Sequence, residues 1–215
     1  MIKLKDISGL YSVKKEMAYF MRRLYKQGLT TACGGNISLR YQDFILMTAS
    51  QTDKGRMGST EICELSLSGR PLNPEIKVSM EAAMHLAIYA ARPDVTAIIH
   101  AHPPMASAHT VTYSAINTRL TAEAWIVLGE PVFADYALPG SEELAAKVAA
   151  KIGEAKVVLL KNHGALTVGN SLIQAFDRIE VLENTARIQL FAQLAGRPQQ
   201  LSAADLEILN KTMNL

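Results

Sequence analysis

The segment that most restricts the fold of this 215-residue chain is an apolar run, Val95-Thr96-Ala97-Ile98-Ile99, that leads directly into His100-Ala101-His102. A short run rich in β-branched residues is typical of a buried strand. Side chains two residues apart in a strand point to the same face, so His100 and His102 are predicted to lie side by side. A third histidine, His163, follows another apolar run in Lys161-Asn162-His163-Gly164. Three imidazoles with one carboxylate make a metal site that stays open to substrate.

Glu81 is the best candidate for the carboxylate, because it is expected in the first turn of a helix that immediately precedes the histidine strand. Such a ligand set suits Zn²⁺, while Mn²⁺, Co²⁺ and Fe²⁺ remain possible. His85 lies four residues after Glu81 on the same helix face, so a Glu81/His85 chelate is the alternative. His109 has no partner at ligand spacing and is expected to be structural.

Composition excludes several classes of protein. The net charge of +2 comes from interspersed acids and bases, which predicts no nucleic-acid partner. We find no apolar run near the roughly 20 residues that span a bilayer, and no secretory signal at the N-terminus, so we expect no membrane association and a cytoplasmic protein. Residues 1–215 are expected to form a single domain. Cys33 and Cys63 are expected to be buried, reduced thiols.

Hydrophobic periodicity and end signals predict alternating helices and strands. Helices are expected at 12–27, at 79–91, from Ser141, over 171–195 and in a short segment from Ser202. Strands are expected at 36–40 and 44–48 as a hairpin, then at 95–99, 132–136, 157–160 and 165–168, with a loop running up to Pro74. The long helix should turn six apolar residues inward: Leu172, Phe176, Ile179, Leu182, Ala186 and Leu190. This α/β pattern places the three histidines at strand ends, where such folds keep their sites.

Four segments resemble the signatures of the class II aldolase/adducin family, and they occur in the expected order. They are Gly34-Gly35-Asn36-Ile37-Ser38, Glu81, Ile99-His100-Ala101-His102-Pro103 and Lys161-Asn162-His163-Gly164-Ala165. The resemblance spans roughly residues 11 to 196 and is greatest to the sugar-phosphate aldolase branch. It implies a three-layer α/β/α sandwich around a largely antiparallel sheet, and a homotetramer with active sites at subunit interfaces.

The same resemblance implies roles for individual residues. His100, His102 and His163 become Zn²⁺ ligands, and Glu81 either binds the metal or leaves it to act as acid and base. The implied reaction is retro-aldol cleavage of a ketose phosphate, such as L-fuculose 1-phosphate, to dihydroxyacetone phosphate and an aldehyde through a metal-stabilised enediolate. Glu81 would carry the proton to and from the enediolate carbon.

The substrate phosphate is expected at the glycine turn, where backbone amides can approach an anion. By resemblance it binds Gly35, Asn36, Ser50 and Ser79. Taken without the family, Gly34-Gly35-Asn36 is more typical of an ordinary structural turn.

Three features depart from the aldolase pattern. Met80 stands where that branch has a second serine, and Gln51 stands where it has a glycine. The catalytic tyrosine has no match in Thr121-Ala122-Glu123-Ala124-Trp125, where Glu123 is a possible substitute. A 4-epimerase, a dehydratase or a β-keto acid decarboxylase on the same metal site therefore remain alternatives. A non-catalytic adducin-like interaction module and a hydrolytic metalloenzyme are the more distant ones.

Overall fold

The computed structural model describes residues 4–213, with side chains from residue 8 onward. Helix α1, Leu4–Lys26, comes first and buries Met17, Phe20, Met21 and Leu24 at three- and four-residue steps. That spacing places all four side chains on one helix face, which packs onto the sheet. Gly28 follows at φ +70°, a left-handed conformation that glycine adopts freely. The predicted helix is confirmed and begins eight residues earlier than expected.

Seven strands form a single sheet in the described part of the chain, in the order β3-β2-β1-β4-β7-β6-β5. The strands are β1 Asn36–Tyr41, β2 Phe44–Thr48, β3 Ile62–Ser66, β4 Ala97–Ala101, β5 Val132–Ala134, β6 Val157–Leu160 and β7 Gly164–Gly169. Every neighbouring pair is antiparallel except β5 with β6. The predicted hairpin of β1 and β2 is present, and the histidine strand β4 lies at the centre between β1 and β7.

Helices cover both faces of this sheet. The remaining six are α2 Ala82–Ala91, α3 Pro104–Thr112, α4 Ala122–Leu128, α5 Glu142–Ile152, α6 Leu172–Ala195 and α7 Ala203–Met213. Buried residues of α2 and α5 pack with one face, and those of α1, α3, α4 and α6 pack with the other. Alternate residues of β4 divide between the two cores, Ile99 on one side and Ile98 on the other. The predicted three-layer α/β/α sandwich with a largely antiparallel sheet is confirmed.

Four expectations about elements need correction. The stretch expected to be a loop contains strand β3, because Ile62, Cys63 and Leu65 are buried where the strand pairs with β2. The segments that form α3 and α4 were not expected to be helical. Helix α2 starts at Ala82, so Glu81 is its N-cap residue and lies just before the first turn. On α6, Leu190 is 41% exposed, although the other five predicted core residues are buried.

The two cysteines differ in environment. Cys63 is buried as expected, and burial raises the pKa of its thiol to about 11. Cys33 is exposed, which corrects the expectation of two buried thiols, because it lies in the loop between α1 and β1 and not in an element. No helix among the described residues is both long and apolar enough to cross a bilayer.

Candidate metal centre

His100 and His102 lie on one face of the central sheet, as their spacing predicts. His100 is fully buried near the end of β4, and His102 follows just beyond that strand. Their ring centroids are 4.8 Å apart. His100 Nδ1 is 3.0 Å from the carbonyl oxygen of Ala165, which can only accept, so Nδ1 carries the proton and Nε2 keeps its lone pair. This backbone contact fixes the ring in the tautomer that a metal ion requires.

His163 reaches the same place from the turn between β6 and β7. Leu160 pairs with Gly164 across that hairpin, so residues 161–163 form the turn, with Asn162 in the left-handed region at φ +55°. A Cβ atom at Gly164 would lie 2.6 Å from the Ala101 carbonyl oxygen and 2.6 Å from His102 Cδ2. Both distances are shorter than any ordinary contact, so the glycine is what allows His163 to approach β4 this closely. Its ring centroid lies 4.8 Å from that of His100 and 5.3 Å from that of His102.

The three imidazoles fit a metal ion. Their potential ligand atoms all lie within 4.8 Å of one another, and they form the one group of this kind found among the described residues. Nε2 of His100 and Nε2 of His102 are buried and have no hydrogen-bond partner. Buried nitrogen lone pairs without partners are unfavourable unless a ligand satisfies them. A shared divalent cation would satisfy both.

Glu81, the N-cap residue of α2, completes the cluster. One carboxylate oxygen, Oε2, is 3.2 Å from His100 Nε2, and the other, Oε1, is 3.3 Å from His163 Nε2. Asn36 holds the group in place, donating from Nδ2 to Oε2 at 2.8 Å. Asn36 pairs with His100 across β1 and β4, which brings the amide to the cluster. The carboxylate is therefore positioned either as a fourth ligand or as a proton carrier beside the histidines.

Burial sets the protonation state of the histidines. It lowers the pKa of His100 well below the usual value, and the neighbouring rings of His102 and His163 lower it further. Burial, followed by the charge of His163, lowers the pKa of His102, and burial lowers the pKa of His163 against the opposing effect of Glu81. All three rings are therefore neutral near pH 7, which is the state that binds metal.

His85, the alternative partner of Glu81, lies outside the cluster. Tyr89 donates to the Thr96 carbonyl oxygen at 3.2 Å, so its hydroxyl accepts from Ser38 Oγ at 2.8 Å. Ser38 Oγ in turn accepts from His85 Nδ1 at 2.7 Å. Burial, followed by the charge of His100, lowers the pKa of His85 to about 3. His85 thus belongs to a polar network beneath the cluster.

His109 also lies apart from the histidine cluster. Its Nδ1 is 3.0 Å from the carbonyl oxygen of Ser114, a contact that closes the end of α3. This local bond agrees with the structural role expected for His109.

A small cavity opens beside Glu81, with a volume of about 180 Å³. Its lining includes all four residues predicted to bind phosphate: Gly35, Asn36, Ser50 and Ser79. Gly35 has φ +66°, and a Cβ there would lie 2.8 Å from the His100 carbonyl oxygen. The glycine turn is therefore required by close packing against β4. The same turn also exposes a backbone edge to the cavity.

The departures from the aldolase pattern have different structural settings. Met80 is 71% exposed and lines the cavity next to Glu81. Gln51 adopts φ +57°, the left-handed conformation for which a glycine is best suited. Glu123 is exposed in the first turn of α4 and is not one of the described residues that line the cavity.

The sequence analysis did not predict the charged cavity residue Lys54. Only 1% of its surface is exposed, and it lines the cavity together with Ser50 and Glu81. The available signal was a lysine four residues after Ser50 in a loop of polar residues. A loop lysine is ordinarily solvated, so the sequence alone gives no reason to place it inside the protein.

Comparison with known proteins agrees with this fold. Residues 15–190 match the family model described as Class II Aldolase and Adducin N-terminal domain. The chain is 34% identical over 187 residues to an L-fuculose phosphate aldolase of Methanocaldococcus jannaschii, covering 86% of this chain and 99% of that relative. It is 32% identical over 193 residues to a 3-oxo-tetronate 4-phosphate decarboxylase of Haemophilus influenzae, covering 86% and 89%. A solved structure titled L-fuculose 1-phosphate aldolase superposes with a TM-score of 0.87 at 29% identity, covering 95% of this chain and 97% of that one.

The sandwich and its histidine cluster, together with these relatives, define a metal-dependent enzyme of the aldolase type. The chain belongs to the class II aldolase/adducin family.

Proposed function

We propose that this protein is a Zn²⁺-dependent lyase that cleaves a ketose phosphate, such as L-fuculose 1-phosphate, to dihydroxyacetone phosphate and an aldehyde. The observation that carries the proposal is the convergence of three neutral imidazoles and the Glu81 carboxylate beside one small cavity. His100, His102 and His163 would hold the ion, and a nitrogen-rich set with one carboxylate favours zinc over harder cations. When bound, the ion supplies a Lewis acid that stabilises negative charge on the substrate oxygens.

The protein's own residues supply the proton transfer. Retro-aldol cleavage removes the proton from the substrate hydroxyl that becomes the aldehyde oxygen, and it leaves an electron pair on the carbon next to the substrate carbonyl, which must receive a proton. The Glu81 carboxylate is suited to accept the hydroxyl proton and pass it to that carbon, because it is nearly buried yet borders the cavity. Its Oε1 has no hydrogen-bond donor, whereas Oε2 is held by Asn36. Oε1 is therefore the oxygen we assign to the proton transfer.

The phosphate is proposed to bind at Gly35, Asn36, Ser50 and Ser79, all of which line the cavity. Asn36 Nδ2 donates one of its two N–H groups to Glu81, which leaves the second for a phosphate oxygen. Backbone amides of the glycine turn and the Ser50 and Ser79 hydroxyls supply further donors. A cavity of about 180 Å³ is small for a drug-sized ligand and suits a short sugar phosphate.

A second candidate is decarboxylation of a phosphorylated β-keto acid. The 3-oxo-tetronate 4-phosphate decarboxylase relative supports it at 32% identity. The absence of a tyrosine in Thr121–Trp125 supports it as well, since release of carbon dioxide leaves no aldehyde oxygen to protonate. The 4-epimerase and dehydratase alternatives use the same site and are separated by their products.

Three further expectations are kept as part of the proposal. They are a single domain over residues 1–215, a cytoplasmic location, and a homotetramer whose active sites lie at subunit interfaces. Analytical ultracentrifugation of the full chain tests whether the protein is a tetramer.

The deciding experiment incubates the metal-loaded protein with ketose 1-phosphates and phosphorylated β-keto acids while triose phosphate and carbon dioxide are measured together. His102→Ala should lose both metal and activity, and Glu81→Gln should retain metal but lose turnover. His109→Ala is the matched control, because its ring is bonded to Ser114 away from the cluster. Full activity in His102→Ala would refute the assignment of the metal site. Carbon dioxide without triose phosphate would select the decarboxylase.

A further inference from the structure

Lys54 is a buried cation without a carboxylate partner. Its Nζ donates to the Ala49 carbonyl oxygen at 2.6 Å and to Thr52 Oγ1 at 3.2 Å. Within residues 8–213, no carboxylate oxygen lies within ion-pair distance of it, although the more distant Glu61 exerts some attraction. Burial accordingly lowers the pKa of Lys54. An ammonium group held inside a protein without a counter-charge is costly, and such groups concentrate at functional sites.

The position of Lys54 explains what could offset that cost. An ammonium group has three N–H donors, and the two acceptors named above use two of them. Ala49 directly precedes Ser50, so the lysine is fixed against the segment that carries a predicted phosphate donor. Lys54, Ser50, Ser79 and the glycine turn line the same cavity.

A positive charge at this place, in addition to the Zn²⁺ proposed at the histidines, would favour the binding of a phosphate. A phosphate ester carries close to two negative charges at neutral pH, and the Glu81 carboxylate borders the same cavity. The predicted phosphate ligands Gly35, Asn36, Ser50 and Ser79 are all uncharged. The N-terminus of α2 contributes only about half a positive charge. Among the described residues lining the cavity, Lys54 is the one lysine or arginine.

We propose that Lys54 is the counter-charge of the substrate phosphate, donating its third N–H to a phosphate oxygen beside Ser50. This inference rests on the proposed function in assuming a phosphorylated substrate. It adds the group that makes the pocket selective for a phosphate dianion over a neutral hydroxyl. Specificity for the phosphorylated substrate would then come mainly from one buried charge.

The test measures binding of an unreactive phosphate ester, sn-glycerol 3-phosphate, to the zinc-loaded enzyme by calorimetry. Lys54→Met keeps the length of the side chain and removes the charge. Loss of a charge-assisted hydrogen bond should raise the Kd roughly ten- to hundredfold while zinc content stays at the wild-type level. Lys156→Met is the matched control: Lys156 is half-buried, donates to the Ile126 carbonyl oxygen at 2.9 Å and does not line the cavity. It should leave the Kd within about twofold.

A second measurement needs no variant. In wild-type protein labelled with ¹⁵N-lysine, the Lys54 ammonium signal is recognised by its proximity to Thr52 and Ala49 protons. Saturating sn-glycerol 3-phosphate should shift that signal, and glycerol should not. An unshifted Lys54 signal in the saturated complex, or an unchanged Kd in Lys54→Met, overturns the inference.

The outcomes separate this inference from the proposed function. If the enzyme cleaves a phosphorylated ketose and Lys54→Met retains the wild-type KM, only the role of Lys54 is wrong. If the wild-type enzyme acts on unphosphorylated substrates alone and does not bind sn-glycerol 3-phosphate, both fail.

Discussion

Replacement of Gly164 by alanine tests whether the approach of the β6–β7 turn to β4 builds the metal site. The added methyl carbon would lie 2.6 Å from the Ala101 carbonyl oxygen and 2.6 Å from His102 Cδ2. Relaxed contacts between such atoms are about 3.5 Å or more, so the two segments must separate by roughly 1 Å. Overpacking of this kind costs about 1–3 kcal/mol of unfolding free energy. A metal site tolerates displacements of only about 0.5 Å, so we expect zinc affinity to fall at least tenfold.

Two assays measure these effects separately. Urea unfolding of the metal-stripped protein gives the stability change, and competition with a chromophoric chelator gives the zinc affinity. Gly58→Ala is the matched control, because its Cβ would meet nothing closer than 3.9 Å and its φ of −109° suits any residue. The control should stay within about 0.5 kcal/mol of wild type. Wild-type zinc affinity in Gly164→Ala would refute the argument that this contact sets the geometry of the cluster.

Three further predictions concern stability. Glu183 is buried and accepts from the backbone N–H groups of Met105 and Ala106 at the start of α3, so Glu183→Gln should lower the unfolding free energy by about 1–2 kcal/mol in urea titrations. Gln51→Gly should raise the unfolding free energy by about 0.5–1 kcal/mol, because residue 51 adopts φ +57°. A loss of stability would show that the hydrogen bond from Lys77 to Gln51 outweighs the backbone strain. His85 has a pKa of about 3 in the folded protein and near 6.5 when unfolded, so the unfolded state gains a proton first as pH falls. The unfolding free energy of the metal-free protein should therefore decline as pH falls below about 6.5. His85→Asn should reduce the slope of unfolding free energy against pH by up to about 1.4 kcal/mol per pH unit, and an unchanged slope would contradict the assigned pKa.

Much of the fold could be predicted because its signals are local. The apolar run before His100 identified the central strand, and the alternation rule placed His102 beside it. The resemblance supplied the sheet direction, which periodicity does not determine. Strand β3 escaped prediction because its burial depends on pairing with β2, a tertiary effect that five residues of mixed polarity do not reveal. Leu190 fits the hydrophobic periodicity of α6, but it is exposed because the C-terminal part of that helix extends beyond the hydrophobic core.

The candidate site shows the same division between local and tertiary information. Residue types and spacing predicted that His100, His102, His163 and Glu81 lie together, and the structure brings these side chains together. The burial of Lys54 could not be predicted from the sequence, because burial of a lysine depends on how a loop folds over it. A Gly35→Val substitution would be a poor test of the phosphate site. A side chain at Gly35 would strike the backbone of His100, so a raised KM would not distinguish lost phosphate contacts from a disturbed strand.

The pairing of β4 with β7 has a consequence for the order of assembly during synthesis. The contact that orients His100 joins residues 65 positions apart, and His163 emerges from the ribosome long after His100 and His102. A nascent chain that ends before His163 presents only two of the three imidazoles to the proposed metal ion. Capture of that ion would therefore wait for sheet closure, and completed chains would bind it in preference to unfinished ones.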